Sequence, residues 1–212
     1  IHFMGEPPFK RILLHGLVVD ETGDKMTKVK GNVIDPLDLI HGATFDEVVD
    51  KALPGAPREE ALRKFKKAYP SVAQMGSGFA AYGADAVRFT LALLDSPGRD
   101  IPLDPERMAG YRAFGNKIWN ATRFALSKVG EARIPQSIHY DELALPERWI
   151  LSRLSATAEA VSLHLEEFRF DLACSDLYQF FWSDFCDWYI EMAKPGCDPG
   201  SERLLVKEVL LL

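Results

Sequence analysis

The sequence predicts a mainly α fold in three parts: the end of an α/β unit, a small group of short helices, and an antiparallel α-helical bundle. Three observations carry that reading. One short apolar run, Ile12 to Val19, stops at a turn; helix-opening signatures then follow in close succession; and from Asp104 onward apolar residues recur every three or four positions over long stretches. At 212 residues the chain is long enough to bury a core, and its Pro and Gly clusters divide it into two or three small units.

Residues 1–34 make up the first part. A loop at Gly5-Glu6-Pro7-Pro8 leads into Ile12 to Val19, read as a buried strand, and Asp20-Glu21-Thr22-Gly23-Asp24 breaks it. A lone strand is unstable without neighbours, and none is legible in this sequence, so its partners are expected upstream. The first residue is Ile1, and the apolar stretch Glu208 to Leu212 has nothing visible to pack on, so more chain is expected at both ends.

Residues 35–103 read as short helices. Asp35-Pro36 supplies an N-cap with proline at the first helical position, and Thr44-Phe45-Asp46-Glu47 is a capping box ahead of Val48 and Val49. Pro57 to Tyr69 reads as a third helix, with Glu59 and Arg63, and Glu60 and Lys64, at i,i+4. Its basic residues Arg63, Lys64, Lys66 and Lys67 are read first as a solvated face, with RNA contact as the alternative. Residues 70–81 are expected to form a loop, Gly83 to Leu94 a helix, and Pro97, Gly98 and Pro102 a linker.

Residues 104–212 read as the bundle. Asp104-Pro105 opens a helix running to about Lys128, and a second runs from Pro146 to Glu167 with Ile150, Leu154, Ala158, Val161, Leu165 and Phe168 along one stripe. A third runs from Asp171 to Ala193 and ends at Lys194-Pro195-Gly196. It is aromatic on two sides, so more than one neighbour should cover it, and Trp182 and Trp188 are read as packing residues.

Charge and composition narrow the function. A net charge of -6 speaks against a uniformly basic nucleic-acid coat, so a polyanion must meet a local patch. No apolar run approaches the roughly 20 residues needed to cross a bilayer, and no secretory leader is legible, so no membrane partner and a cytoplasmic location are expected. Cys174, Cys186 and Cys197 are odd in number and widely spaced, and are read as reduced core thiols. His2, His15, His41, His139 and His164 show no ligand spacing, so no protein-bound metal is expected.

The local patch is Lys25-Met26-Thr27-Lys28-Val29-Lys30-Gly31-Asn32, a lysine-rich connection suited to closing over a polyphosphate and expected to be mobile without it. It resembles the Lys-Met-Ser-Lys-Ser signature of the class I aminoacyl-tRNA synthetases, with Thr27 and Val29 at the two serine positions. The resemblance implies that Lys25, Met26, Thr27 and Lys28 bind ATP, carried with Mg as its counter-ion, and that Lys28 first and Lys25 second act catalytically. Ammonium groups there meet charge that grows on the departing pyrophosphate, and so act more strongly in the transition state than in the ground state.

Further segments resemble the valyl branch of that family. They include Asn32-Val33-Ile34-Asp35-Pro36-Leu37-Asp38, Gly83-Ala84-Asp85-Ala86-Val87-Arg88-Phe89, Asn116-Lys117-Ile118-Trp119-Asn120-Ala121-Thr122-Arg123-Phe124 and Phe185-Cys186-Asp187-Trp188-Tyr189-Ile190-Glu191-Met192. The resemblance implies a Rossmann-like catalytic domain ending near residue 34, a stem-contact fold over 35–103, and an anticodon-binding bundle from 104. It implies a ligase joining valine to tRNA-Val with ATP, acting as a monomer. The His-Ile-Gly-His element, valine pocket and editing domain of the family have no match, so this chain alone is expected to bind tRNA weakly and to be inactive.

One helix face fits base reading. Asn116, Asn120 and Arg123 fall at i, i+4 and i+7 with Lys117 and Phe124 beside them, while Ile118, Trp119, Thr122 and Ala125 are expected to face the core. Amides, guanidinium planes and aromatics recognise unpaired bases. The alternative places Phe124 in the core with the asparagines linking helices. A leucyl or isoleucyl enzyme, or a noncatalytic tRNA-binding paralogue favoured by Val29, stay open as other readings.

Overall fold

The computed structural model describes residues 2–129 and 139–197. Its order is β1 (Val18–Val19), α1 (Pro36–His41), α2 (Phe45–Ala52), α3 (Arg58–Ala68), α4 (Pro70–Met75), α5 (Ala84–Leu94), β2 (Ile101–Pro102) and α6 (Pro105–Val129). There follow α7 (Leu145–Glu166), α8 (Phe170–Gln179), a π-helical segment (Phe180–Tyr189) and α9 (Ile190–Ala193). The chain is mainly helical, as its periodicity implied. The apolar stretch from Glu208 to Leu212 and the Cys197 side chain lie outside what is described.

The local signals act where they stand. Asp35 Oδ1 accepts from Leu37 N at 2.9 Å, with Pro36 in the first turn of α1. Thr44 and Glu47 complete the capping box of α2, and Asp104 Oδ1 accepts from Glu106 N at 3.0 Å at the head of α6. Lys64 pairs with Glu60 at 2.9 Å, whereas Arg63 is exposed with no ion-pair partner among the described residues. α1 to α5 close over one core in which Val49, Phe65, Tyr69 and Val72 are fully buried. Each such side chain contributes about 1.5–3 kcal/mol of apolar burial.

Three expectations are corrected. The stretch 70–81 is not all loop: Pro70 starts α4, and Gly76 ends it in the left-handed conformation at φ 65°. The strand is only Val18–Val19, and Ile12 and Leu14 stand more than 80% exposed, because nothing pairs with that stretch among the described residues. A neighbour does lie in this sequence. The expected linker returns as β2 and pairs with β1 in parallel, Val18 against Ile101 and Val19 against Pro102. Ile101 N donates to Leu17 O at 2.7 Å and Leu103 N to Val19 O at 2.9 Å. The approach requires glycine at position 16, where a Cβ would lie 1.8 Å from Arg99 O.

α5 joins the short helices to the long ones. Phe89 meets Tyr111 and Phe114 of α6 at 5.2 and 5.5 Å between ring centres, and Phe114 meets Tyr178 of α8 at 4.6 Å. The third long helix is not α throughout: its aromatic run Phe180–Tyr189 widens into π turns. The α7 stripe is covered only in part, with Ile150 buried and Leu154, Ala158 and Leu165 exposed. Between α7 and α8, Phe168 holds φ 58°, and Arg169 N reaches back to His164 O at 2.8 Å.

Candidate functional site

The lysine loop is built on a buried carboxylate. Asp20 follows β1 at 2% exposure, and its Oδ1 accepts from Thr22 N at 3.1 Å, Thr22 Oγ1 at 2.7 Å and Asp24 N at 2.8 Å. Gly23, at φ 85°, closes that turn. The other oxygen, Oδ2, accepts from Asn32 Nδ2 at 2.8 Å. Burial pushes the Asp20 carboxyl up, but the hydrogen bonds from Asn32, Thr22 and Asp24 together outweigh it and hold the group below its ordinary value. Asp20 is therefore a fixed anion at neutral pH.

Asn32 completes the clasp. Its Nδ2 also donates to Lys25 O at 3.1 Å, and its Oδ1 accepts from Thr27 N at 2.8 Å, so one amide grips the backbone on both sides of Met26. Its own carbonyl accepts from Tyr69 Oη at 2.6 Å at the end of α3. Burial, with the charges of Asp20 and Glu21, pushes the Tyr69 phenol far up, so it stays a donor. Glu21 further ties the turn to α4 by accepting from Ser71 N at 3.0 Å.

The tip is a single helical turn. Gly31 N donates to Thr27 O at 3.2 Å, and Lys30 N donates to Thr27 Oγ1 at 3.2 Å, so the Thr27 hydroxyl acts as its cap. Val29 exposes 82% of its surface, and only its carbonyl is engaged, accepting from Lys64 Nζ at 3.3 Å. Met26 packs toward the core of the short helices. Lys30 pairs with Asp24 at 3.2 Å, whereas the exposed Lys25 and Lys28 ammonium groups have no ion-pair partner among the described residues. A cavity of about 290 Å³ beneath the tip is lined by Asp20, Asn32, Lys30, Lys64 and Lys67 among others.

The loop thus presents two uncommitted cations on a fixed backbone, which fits a multiply charged anion. No group of His, Cys, Asp and Glu suited to a metal ion occurs among the described residues. The role of Asp20, Asn32 and Tyr69 escaped the sequence. Asp20 reads there as a turn residue and Asn32 as the tail of a motif, and no local signal pairs side chains twelve positions apart.

The second predicted face divides. Asn116, Asn120 and Arg123 are exposed on α6. Lys117 turns inward, its Nζ 2.9 Å from Asp187 Oδ1 and 3.7 Å from the ring centre of Trp182. Phe124 is half-buried against Ala121, Cys186 and Ile190, with Lys128 and Lys194 Nζ 5.7 and 5.9 Å from its ring. The expected core side of α6 is corrected in part: Trp119 is 67% exposed and Ile118 and Thr122 are exposed, while Ala125 is buried as expected and Phe114 and Ala121 are buried with it. The helix is turned so that Ala121 meets Cys186 of the π segment. Trp188, expected as packing, is 63% exposed beside Leu145, Pro146 and Trp149.

Two family models match the chain. "tRNA synthetases class I (I, L, M and V)" matches residues 1–104, and "Anticodon-binding domain of tRNA ligase" matches residues 147–211. A valine--tRNA ligase of Acinetobacter baylyi is 45% identical over 221 residues, covering 100% of this chain and 23% of that protein. A valine--tRNA ligase of Psychrobacter arcticus is 42% identical over 199 residues, covering 92% of this chain and 20% of that protein. The chain thus spans about a fifth to a quarter of the length of these curated relatives.

Proposed function

The chain belongs to the class I tRNA synthetases, and from that premise we propose that it is the part of a valine–tRNA ligase that steadies the leaving pyrophosphate and holds the tRNA. Residues 1–34 are the end of a Rossmann-like catalytic domain, 35–103 the stem-contact region and 104–212 the anticodon-binding bundle. The observation that carries the reading is the pair of uncommitted ammonium groups, Lys25 and Lys28, on a clasped loop in a chain so similar to valine–tRNA ligases.

In activation the valine carboxylate oxygen attacks the α-phosphorus of ATP. A new oxygen–phosphorus bond forms, the bond to the bridging oxygen breaks, and its electron pair leaves with pyrophosphate, whose countercharge comes from Mg and the loop. Lys28 and Lys25 meet the charge that accumulates there, while Thr27 caps the tip turn that presents Lys28 and Met26 seats it on the core. On the bundle, Asn116, Asn120 and Arg123 face outward toward tRNA-Val, and Lys117 and Phe124 hold the helix that presents them.

Three assays test this. The full-length gene product should charge tRNA with valine and not with leucine or isoleucine, and this chain alone should bind tRNA-Val without supporting valine-dependent ATP–pyrophosphate exchange. Altering the anticodon should weaken that binding; equal affinity for both RNAs removes the anticodon role. Val29, exposed where the family has a hydroxyl, favours the alternative of a noncatalytic tRNA-binding paralogue. A full-length product that binds tRNA-Val but never charges it would establish that alternative.

A further inference from the structure

We infer that Asn32, held by Asp20, is a positioning residue for activation, setting the backbone from which Lys25 and Lys28 reach a polyphosphate. The inference rests on the ATP-phosphate reading of the lysine loop and extends it to a side chain that touches no substrate. Asn32 is 2% exposed and spends its whole amide on the loop: two donations, to Asp20 Oδ2 and Lys25 O, and one acceptance, from Thr27 N. The last two partners are the carbonyl of the first lysine and the backbone N–H of the residue before the second.

Lys25 and Lys28 themselves have nothing to hold them, since neither ammonium is paired among the described residues. Their placement is therefore set by backbone, and that backbone is set by one buried amide. The amide is in turn referenced to the core, because Tyr69, fully buried between α3 and α4, donates to the Asn32 carbonyl at 2.6 Å. Asp20 adds a charged acceptor whose remaining oxygen organises the 20–24 turn on the opposite side of the loop. Both ends of the loop meet at this one pair.

Loss of this grip leaves both lysines on the chain and loosens their aim. Displacement of a catalytic group by about 1 Å is enough to cost about a hundredfold in rate. Because these cations act on charge that grows in the transition state, the loss should fall on kcat rather than on the KM for valine.

The test uses the full-length gene product, with valine-dependent ATP–pyrophosphate exchange as the rate and the stoichiometry of the adenylate burst as the count of active molecules. For Asn32→Ala we expect kcat per active molecule to fall by about ten- to a hundredfold with the KM for valine unchanged. A full rate in Asn32→Ala alongside a slowed Lys28→Ala overturns the positioning role and leaves the loop's function standing. A fall that the burst count accounts for entirely also overturns it, since fewer folded molecules then explain the loss. A full rate in Lys28→Ala removes the premise and the inference together. Should Asn32→Ala fail to fold, Asn32→Ser, which keeps a small polar group, is judged by the same two numbers.

Discussion

Replacing Lys28 by alanine separates catalysis from stability. Its ammonium is exposed and pairs with no carboxylate among the described residues, so the change removes no ion pair there and stability should hold within about 0.5 kcal/mol. A charge-assisted hydrogen bond to the leaving group is worth about 1.5–3 kcal/mol, which corresponds to activation slowed about 10- to 200-fold. Lys30 is the internal control, because its ammonium is already committed to Asp24 at 3.2 Å and both side chains are about half exposed. An exposed pair of that kind contributes about 0.2–1 kcal/mol of stability, so Lys30→Ala should cost no more stability than that and slow activation less than Lys28→Ala does. Valine-dependent ATP–pyrophosphate exchange by the full-length gene product measures both. Full-speed exchange by Lys28→Ala, or a Lys30→Ala slower than Lys28→Ala, refutes the role of the Lys28 ammonium.

Two further outcomes follow from the geometry. Asp20 titrates below its ordinary value of 3.8 when folded, so the stability it contributes is complete above that value and is lost as pH falls through the lowered one. Asp20→Asn should flatten this acid limb in denaturation midpoints taken from pH 6 downward; an unchanged limb would assign the acid sensitivity to other carboxylates. On α6, Arg123→Ala should weaken tRNA-Val binding at constant stability. Lys117→Ala should instead cost about 0.5–2 kcal/mol of stability through its lost contacts with Trp182 and Asp187. Filter binding and chemical denaturation distinguish the two, and the reverse pattern would mean that Lys117, not Arg123, faces the RNA.

The residues by themselves determined the helix starts at Asp35, Thr44 and Asp104, the long periodic helices and the lysine loop. Those signals act within about four positions, or repeat with the pitch of the helix, so they are legible one segment at a time. The family was legible for another reason: the quoted segments lie in continuous sequence and need no fold to be read.

Only the tertiary structure decided that Val18–Val19 finds its partner in Ile101–Pro102, that Asn32 is gripped by Asp20 and Tyr69, and that α6 buries Phe114 and Ala121 rather than Trp119. Strand partners and buried polar pairs depend on which distant segments meet. The rotation of an amphipathic helix depends on which of its apolar stripes is covered. Here Ala121 packs against Cys186 and Ile190, and with α6 seated that way Lys117 meets Asp187 while Arg123 faces outward.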